Sequence, residues 1–268
     1  MKHFLNITWL AIAVALLGGC AKNSSDEFQG YIEGEYVYVA APLGGALANL
    51  AVARGDTVKK GQCLFELERQ SEAAALTMAE KNLVQANASL TLSTATFQRR
   101  KELRASPFGV ISAQDLDQAQ AQLDADTAQV AAQQAALDKA KWAFDQKQQF
   151  APADAQVHDT LYRQGEFVVA GNPVVVLLPP ENLKVRFFVP QERLPQIKVG
   201  QTISISCDGA NRAIKAAINY ISTQVEYTPP VIYSRETRVN LVFMIEAKIS
   251  PPDAAGVRPG QPADVRLN

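Results

Sequence analysis

The most regular pattern in the chain is a seven-residue repeat of large apolar side chains in its first half. It forms two rows, with Leu76, Leu83, Leu90 and Phe97 in the first and Leu116, Leu123, Val130 and Leu137 in the second. Alanine stands three positions after several of these residues. Alternation of large and small residues at heptad spacing predicts two long helices that pack closely along one seam.

A turn separates the two rows. Ser106-Pro107-Phe108-Gly109 ends the first helix, and Ser112 with Asp115 provides a capping-box start for the second. The pattern predicts an antiparallel hairpin over residues 69–149, with arms of about 36 residues and about 50 Å. Facing residues of such a hairpin have numbers with a constant sum. Leu90 with Leu123, like the other three pairs of seam residues, gives 213 and places the fold point at Ser106–Pro107.

A repeat with a constant shift of 110 positions lies on either side of this hairpin. Gly55 matches Gly165, Gly61 matches Gly171, and apolar positions around them match in the same way. A shift without gaps predicts one small β domain of two similar halves, residues 28–68 and 150–180, with the hairpin inserted between them. This arrangement resembles the lipoyl/biotinyl fold.

The last part of the chain, residues 181–268, has several strand patterns punctuated by glycine and proline, and a short helical turn after Pro190. These features predict a small closed or nearly closed β-barrel domain. The predicted fold class is therefore α+β with several domains: a split lipoyl-like domain, an inserted helical hairpin and a barrel.

The N-terminus predicts export and lipid attachment. Lys2 precedes an apolar run from Ile7 to Leu17, which is shorter than the roughly 20 residues that span a bilayer. Leu17-Gly18-Gly19-Cys20 resembles the bacterial lipobox, in which cleavage before the cysteine leaves acyl chains on it. We therefore expect a signal peptide over residues 1–19, lipidation of Cys20, and a tether over residues 20–27. A plain signal peptide with an incidental cysteine is the alternative.

Composition narrows the function classes. Apolar residues make up 47% and charged residues 20%, as in globular proteins, and the formal net charge of −1 does not favour nucleic-acid binding. Cys63 and Cys207 each lie in an apolar strand pattern. Buried thiols are the favoured interpretation, although an exported protein could form a disulfide between them.

The sequence contains no pattern typical of an active site. No nucleophile–base pairing stands out, and Gly44-Gly45 is not followed by the Gly-Lys-Ser/Thr of a phosphate-binding loop. We expect no enzymatic activity, cofactor or metal. Asp138-Lys139-Ala140 matches the lipoyl-lysine pattern of carrier domains, but Lys139 lies within the second helical row. A solvated helix charge is the better interpretation of this lysine.

The order of these parts resembles the HlyD-type membrane fusion proteins, the periplasmic adaptors of Gram-negative export systems. The motifs that carry the resemblance are Ala41-Pro42 through Gly61-Gln62, the matching Gly165–Leu177, and Pro259-Gly260-Gln261-Pro262-Ala263. It implies a homo-oligomeric ring in the periplasm, anchored by lipid to the inner membrane, that links an inner-membrane transporter to a TolC-like outer-membrane channel. The loop at residues 227–234 resembles the subgroup associated with ABC exporters.

The same resemblance implies a partner-binding site at the hairpin tip. Many hairpins of the family carry Arg-x3-Leu-x6-Ser there; Arg99 and Leu103 match, whereas the serine position is Val110 and Ser112 follows two residues later. The implied contacts with the channel are thus Arg99, Leu103 and Ser112. The alternative is a solvated arginine and a leucine at the end of the seam. The alternative function is a periplasmic lipoprotein whose coiled-coil spacer has a structural or partner-binding role without transport.

Overall fold

The structure is a computed structural model that describes residues 27–107, 111–207, 213–227, 241–254 and 256–267. The chain divides into two compact units. One comprises Tyr36–Pro179; the other comprises the described residues up to Glu35 together with those from Pro180 onward. A helical hairpin is inserted among β-strands, which confirms the predicted α+β class. Cys20, the predicted signal peptide and residues 228–234 lie outside the described residues.

The β part of the first unit consists of two four-stranded sheets. One has the order β2 (Val37–Ala40), β9 (Pro173–Leu178), β7 (Ala155–Thr160) and β4 (Thr57–Val58). The other has the order β6 (Gln148–Phe150), β5 (Cys63–Leu67), β3 (Gly45–Leu50) and β8 (Phe167–Val168). The two sheets enclose a core of fully buried side chains that includes Leu47, Leu64, Phe65, Val157, Val175 and Leu177.

The shift of 110 positions recurs in the structure. Gly55 and Gly165 have φ angles of 95° and 91°, in the left-handed region that favours glycine. Each donates its N–H to the opposite half: Gly55 to Val157 O at 2.9 Å and Gly165 to Leu47 O at 2.8 Å. Because Leu47 and Val157 are themselves 110 positions apart, the two bonds are equivalent. The halves therefore interlock about a pseudo-twofold axis.

The inserted hairpin consists of α1 (Gln70–Ala105) and α2 (Ala113–Asp145), of 36 and 33 residues. Its buried side chains are small and lie three positions after seam residues: Ala79, Ala86, Ser93 and Ala119. The large seam residues themselves are half-buried. Small side chains bring the helix backbones together, whereas a two-helix arm has no third layer to cover the leucines completely.

The second unit contains a closed six-stranded barrel in the order β1-β10-β13-β12-β11-β14. Its strands are β1 (Glu27–Gly34), β10 (Leu183–Pro190), β11 (Thr202–Cys207), β12 (Ile214–Tyr227), β13 (Leu241–Ile249) and β14 (Pro262–Leu267). A 3-10 turn at Gln191–Gln196 follows β10, and a short helix α3 spans Pro251–Ala254. Alternate strand residues such as Phe187, Ile205 and Val265 fill the interior.

The strand β1 corrects one predicted boundary. Sequence analysis placed residues from 28 onward in the split β domain, but β1 pairs antiparallel with both β10 and β14 and closes the barrel. Phe28 and Ile32 point into the barrel interior and are buried. The strand ends at Gly34, and β2 begins at Val37, so the two successive strands belong to different units.

The two cysteines outside the signal region are thiols. Cys63 is half-buried on β5 and accepts a hydrogen bond from Gln148 Nε2 at 3.3 Å, and Cys207 is buried at the end of β11. Within the described part of the chain, no helix is long and apolar enough to cross a membrane. Nor do three or more His, Cys, Asp or Glu side chains come together there in a group that could bind a metal.

Candidate partner-binding site

The distal end of the hairpin is shaped by two helix caps. At the end of α1, Ser106 donates its N–H to Leu103 O at 3.3 Å. At the start of α2, the Ser112 hydroxyl accepts the Asp115 N–H at 3.1 Å, and the Asp115 carboxylate accepts the Ser112 N–H and hydroxyl. The Ser112 hydroxyl is the main reason why the pKa of Asp115 lies below its usual value. The predicted capping box is therefore present.

Two of the three predicted tip residues share one exposed surface. Arg99 and Leu103 are four positions apart on α1, so their side chains lie on the same helix face, and both are exposed. Ser112 is also exposed, but its hydroxyl is engaged in the cap. Arg99 and Leu103 are thus exposed side by side near the tip, and Ser112 sets the start of α2; their contact with a partner stays a prediction.

Contacts at both ends of the hairpin agree with the predicted register. Near the base, the guanidinium of Arg69 lies 4.4 Å from the centre of the Phe144 ring, and these two numbers also add to 213. Near the tip, Arg100 Nη1 donates a hydrogen bond to Asp115 O at 2.9 Å. The numbers of these two residues add to about the same sum, two positions more than the seam pairs. The pairing of Leu90 with Leu123 itself stays a prediction.

We expect a disulfide to form readily between Leu90→Cys and Leu123→Cys in a chain whose Cys63 and Cys207 are replaced by serine. Both positions lie in the seam, where facing side chains of an antiparallel pair are adjacent. Non-reducing gel mobility measures the intramolecular bond. Leu90→Cys with Val130→Cys is the matched control, since it is two helical turns out of register. Faster bond formation in the control would overturn the register.

The base of the hairpin is held by a buried lysine. Lys147, just after α2, donates from Nζ to Gly44 O at 2.7 Å and forms an ion pair with Glu72 Oε1 at 3.0 Å. Only 6% of its side chain is exposed. Gly44 belongs to the first half of the β domain and Glu72 to α1, so one ammonium group connects three segments of the chain.

Sequence analysis missed Lys147, although the repeat contained a signal. When the repeat is extended toward the N-terminus with the same shift of 110 positions, Lys147 becomes the equivalent of Val37. Val37 packs against the core of the β domain. A lysine at a position equivalent to a partly buried valine is expected to be shielded from water and therefore to have its charge paired. Lys139, by contrast, is exposed on α2, as expected for a solvated helix charge.

A second charged cluster lies on three neighbouring barrel strands, β1, β10 and β13. Glu246 on β13 pairs with Lys184 at 2.8 Å and with Arg186 at 2.8 Å, both on β10, and Arg186 pairs with Glu33 of β1 at 2.8 Å. Burial alone would raise the pKa of Glu246, but hydrogen bonds from Lys184 and Arg186 outweigh it and hold this pKa below its usual value. The ion pairs of this cluster thus link the neighbouring strands β1, β10 and β13 of the barrel wall.

Comparisons with known proteins identify a matching family model for the hairpin and a relative over most of the chain. Residues 75–147 match the family model described as the alpha-helical hairpin domain of RND membrane fusion proteins. A UPF0194 membrane protein in the asrC 5′ region of Acidithiobacillus ferridurans is 28% identical over 291 residues, covering 89% of this chain and 85% of that protein.

Two solved structures show the same fold over 90% of this chain. The membrane fusion protein Spr0693 from Streptococcus pneumoniae R6 has a TM-score of 0.65 at 19% identity, with 98% of its own chain covered. A MacA-MexA chimera containing the Pseudomonas aeruginosa MexA alpha-hairpin domain has a TM-score of 0.63 at 19% identity, with 80% covered. Residues 75–147 of this chain thus match the hairpin domain of the RND membrane fusion proteins, and the chain shares the fold of these two solved structures.

Proposed function

We propose that this chain is a periplasmic adaptor that links an inner-membrane transporter to an outer-membrane TolC-like channel for efflux or secretion. The observation that carries the proposal is the long two-helix arm inserted into a split lipoyl-like domain, with residues 75–147 matching the hairpin domain of membrane fusion proteins. An arm of about 50 Å suits the bridging of two partners. The adaptor acts by binding and positioning, without a catalytic step.

The arm's tip is the proposed contact with the channel. Arg99 and Leu103 provide a cation and an exposed apolar side chain on one face of α1, and Leu103 is 41% exposed. A leucine with this exposure can be buried by a partner, and an arginine beside it can pair with a carboxylate. Ser112 supports the site by fixing the start of α2.

The proposed transporter is of the ABC type. The support for this class is the sequence of residues 227–234, Tyr-Thr-Pro-Pro-Val-Ile-Tyr-Ser, which resembles adaptors of ABC exporters. The hairpin family model, in contrast, carries the description of RND adaptors. Recovery of an RND pump in place of an ABC transporter would contradict the proposed class and leave the adaptor function standing.

Crosslinking in cells, followed by purification of the chain and identification of its partners, tests the function. We expect an inner-membrane transporter and an outer-membrane channel to be recovered. The control is a chain in which a short turn replaces residues 69–146. Leu67 donates its N–H to Lys147 O at 2.8 Å, so the cut ends are already adjacent. This variant should lose the channel and retain the transporter. Recovery of envelope scaffold proteins alone would favour the spacer function instead.

Lipidation of Cys20 is the proposed mode of membrane attachment, with the inner membrane as the favoured site. Cys20→Ser removes the thiol that would carry the lipid, so we expect loss of palmitate labelling and an uncleaved precursor. Labelling with radioactive palmitate and gel mobility measure the two effects. Cys63→Ser is the matched control and should label normally. Undiminished labelling of the Cys20 variant would exclude this anchor.

A further inference from the structure

The middle of α1 contains a cluster of hydroxyl side chains. Residues 89–96, which we call the hydroxyl segment, include Ser89, Thr91, Ser93, Thr94 and Thr96. The rest of α1 contains only Ser71 and Thr77, and α2 contains only Thr127. Serine and threonine have a lower helix propensity than the alanine, leucine and glutamine that are frequent in both helices. The segment is therefore a weak stretch in the interior of a long helix.

Four of these hydroxyls donate hydrogen bonds to carbonyl groups of the preceding turn. The bonds are Thr91 to Asn87 O at 2.8 Å, Ser93 to Leu90 O at 3.0 Å, Thr94 to Leu90 O at 2.7 Å and Thr96 to Leu92 O at 2.8 Å. The same carbonyls are the acceptors for N–H groups of the helix, so each hydroxyl competes with a backbone bond. Such contacts slightly destabilise helices and often bend them. They also keep a carbonyl partnered when its backbone bond lengthens.

Helix α2 is braced at the same level. With the predicted facing sum of 213, the hydroxyl segment faces residues 117–124, which contain no serine or threonine. Two side-chain bonds between residues four apart support this part of α2. Gln120 donates to Asp124 at 2.7 Å, and Gln122 donates to Asp126 at 3.0 Å. The two helices thus differ in local stiffness where they lie side by side.

The contact between the helices is loose at this level. A groove of about 320 Å³ lies here, lined on α1 mainly by the hydroxyl segment and on α2 by Ala119, Gln122 and Asp126. No ion pair braces α1 at the segment, because α1 has no charged residue between Lys81 and Arg99. Little close packing therefore resists a small movement of α1 along α2.

We propose that the hydroxyl segment is a bending point of the arm, at which α1 lengthens while α2 remains a continuous spine. A bend of about 10° in two helices roughly 9 Å apart requires a difference in length of about 1.5 Å, the rise of one residue. The carbonyls that accept hydroxyl bonds share this extension without losing every partner. Because the lengthened helix lies on the outside of the curve, the tip moves toward the α2 side.

The bend gives the arm a means of aligning its tip with a partner. From Ser93 to Ala105, α1 extends about 18 Å toward the tip, so a bend of about 10° displaces the tip by about 3 Å. This purpose rests on the proposed adaptor function. The bend itself is a property of the single chain and is measured on it.

Hydrogen exchange of the full-length protein tests the local weakness of α1. We expect amides of the hydroxyl segment to exchange about tenfold faster than those of residues 117–124. The comparison is stringent, because residues 117–124 lie at the same level but closer to the end of their helix, where fraying speeds exchange. Equal or slower exchange in the hydroxyl segment would contradict the proposal.

Two triple variants separate the hydroxyl bonds from helix propensity. Thr91→Val/Thr94→Val/Thr96→Val removes three hydroxyls but keeps branched side chains of similar helix propensity, so it should lose most of the excess exchange. Thr91→Ser/Thr94→Ser/Thr96→Ser is the matched control, since it keeps the hydroxyls and should retain the excess. Equal exchange in the valine and serine variants would overturn the role of the hydroxyl bonds.

Spin labels measure the bend directly. In a lipoprotein with Cys63 and Cys207 replaced by serine, labels at Gln114→Cys and Ala135→Cys lie on exposed positions of α2, about 32 Å apart along its axis and on either side of the segment's level. We expect a distance distribution that extends to shorter values, in the parent and the serine variant, and a narrow one in the valine variant. A parent distribution as narrow as that of the valine variant, or one extended to longer values, would refute the bend.

These outcomes are separable from those of the adaptor function. A chain whose arm stays straight but which still recovers transporter and channel would refute the bend and leave the function standing. A bending arm without recovery of either partner would support the bend and refute the adaptor.

Discussion

Replacing Lys147 by methionine is expected to lower the free energy of unfolding of the first unit by about 3 kcal/mol. Methionine keeps the aliphatic length but removes the ammonium group, so Glu72 loses its partner at 3.0 Å and Gly44 O loses its donor at 2.7 Å. Removal of one member of a buried ion pair costs about 3–5 kcal/mol. The lower end applies because the Glu72 side chain is 21% exposed.

Urea denaturation monitored by Trp142 fluorescence measures this change. The double variant Lys147→Met/Glu72→Leu is the control, because it removes both charges and leaves no carboxylate without a partner. We expect it to recover much of the lost stability. If the single variant proves as stable as the double variant, the ion pair does not hold the base of the hairpin.

Replacing Gly30 by alanine is expected to destabilise the barrel by about 3 kcal/mol, the upper end for overpacking of a core. A Cβ at this position would lie 2.7 Å from Phe187 Cβ and 2.9 Å from Phe187 Cα, and closer still to Arg186 O. Two of these three atoms belong to the backbone of β10 and cannot move away without breaking its pairing with β1.

The matched control is Gly256→Ala in the same unit, where the nearest atom to a new Cβ is Asp253 O at 3.8 Å. We expect this variant to unfold as the parent does. Hydrogen exchange localises the effect: amides of β1, β10 and β14 should lose protection in the Gly30 variant, whereas those of the first unit should not. Uniform loss of protection across both units would contradict the assignment of β1 to the barrel alone.

The hairpin and the two-halved β domain could be predicted because their signals are periodic. The seam from Leu76 to Phe97 repeats every seven residues, and the glycines at 55 and 165 mark turns that only a small set of residues can form. A periodic pattern can be recognised in the sequence without knowing which residues are neighbours in space. Partner contacts at Arg99 and Leu103, by contrast, were inferred from resemblance and stay predictions.

The assignment of β1 failed for a physical reason. Its alternation around Phe28 and Ile32 identifies a strand, but alternation does not specify which sheet the strand joins. That choice depends on β10 and β14, which lie about 150 and 230 positions later in the chain. β1 pairs with the free edge of each of these strands and so closes the barrel. Lys147 was missed for a related reason, because its partners Gly44 and Glu72 lie far from it in sequence.

The exchange of hydrogen bonds between the two halves has a consequence for the order of folding. Gly55 and Gly165 each bond to the half to which they do not belong, so neither half can complete its turns before the other is present. These partners are roughly 100 residues apart, and closing a flexible loop of that length is slow and entropically unfavourable. The hairpin forms from contacts around a single turn. We expect that the formed hairpin brings Leu67 to Lys147 and turns a distant encounter into a local one, so that folding of the hairpin should speed folding of the β domain that carries it.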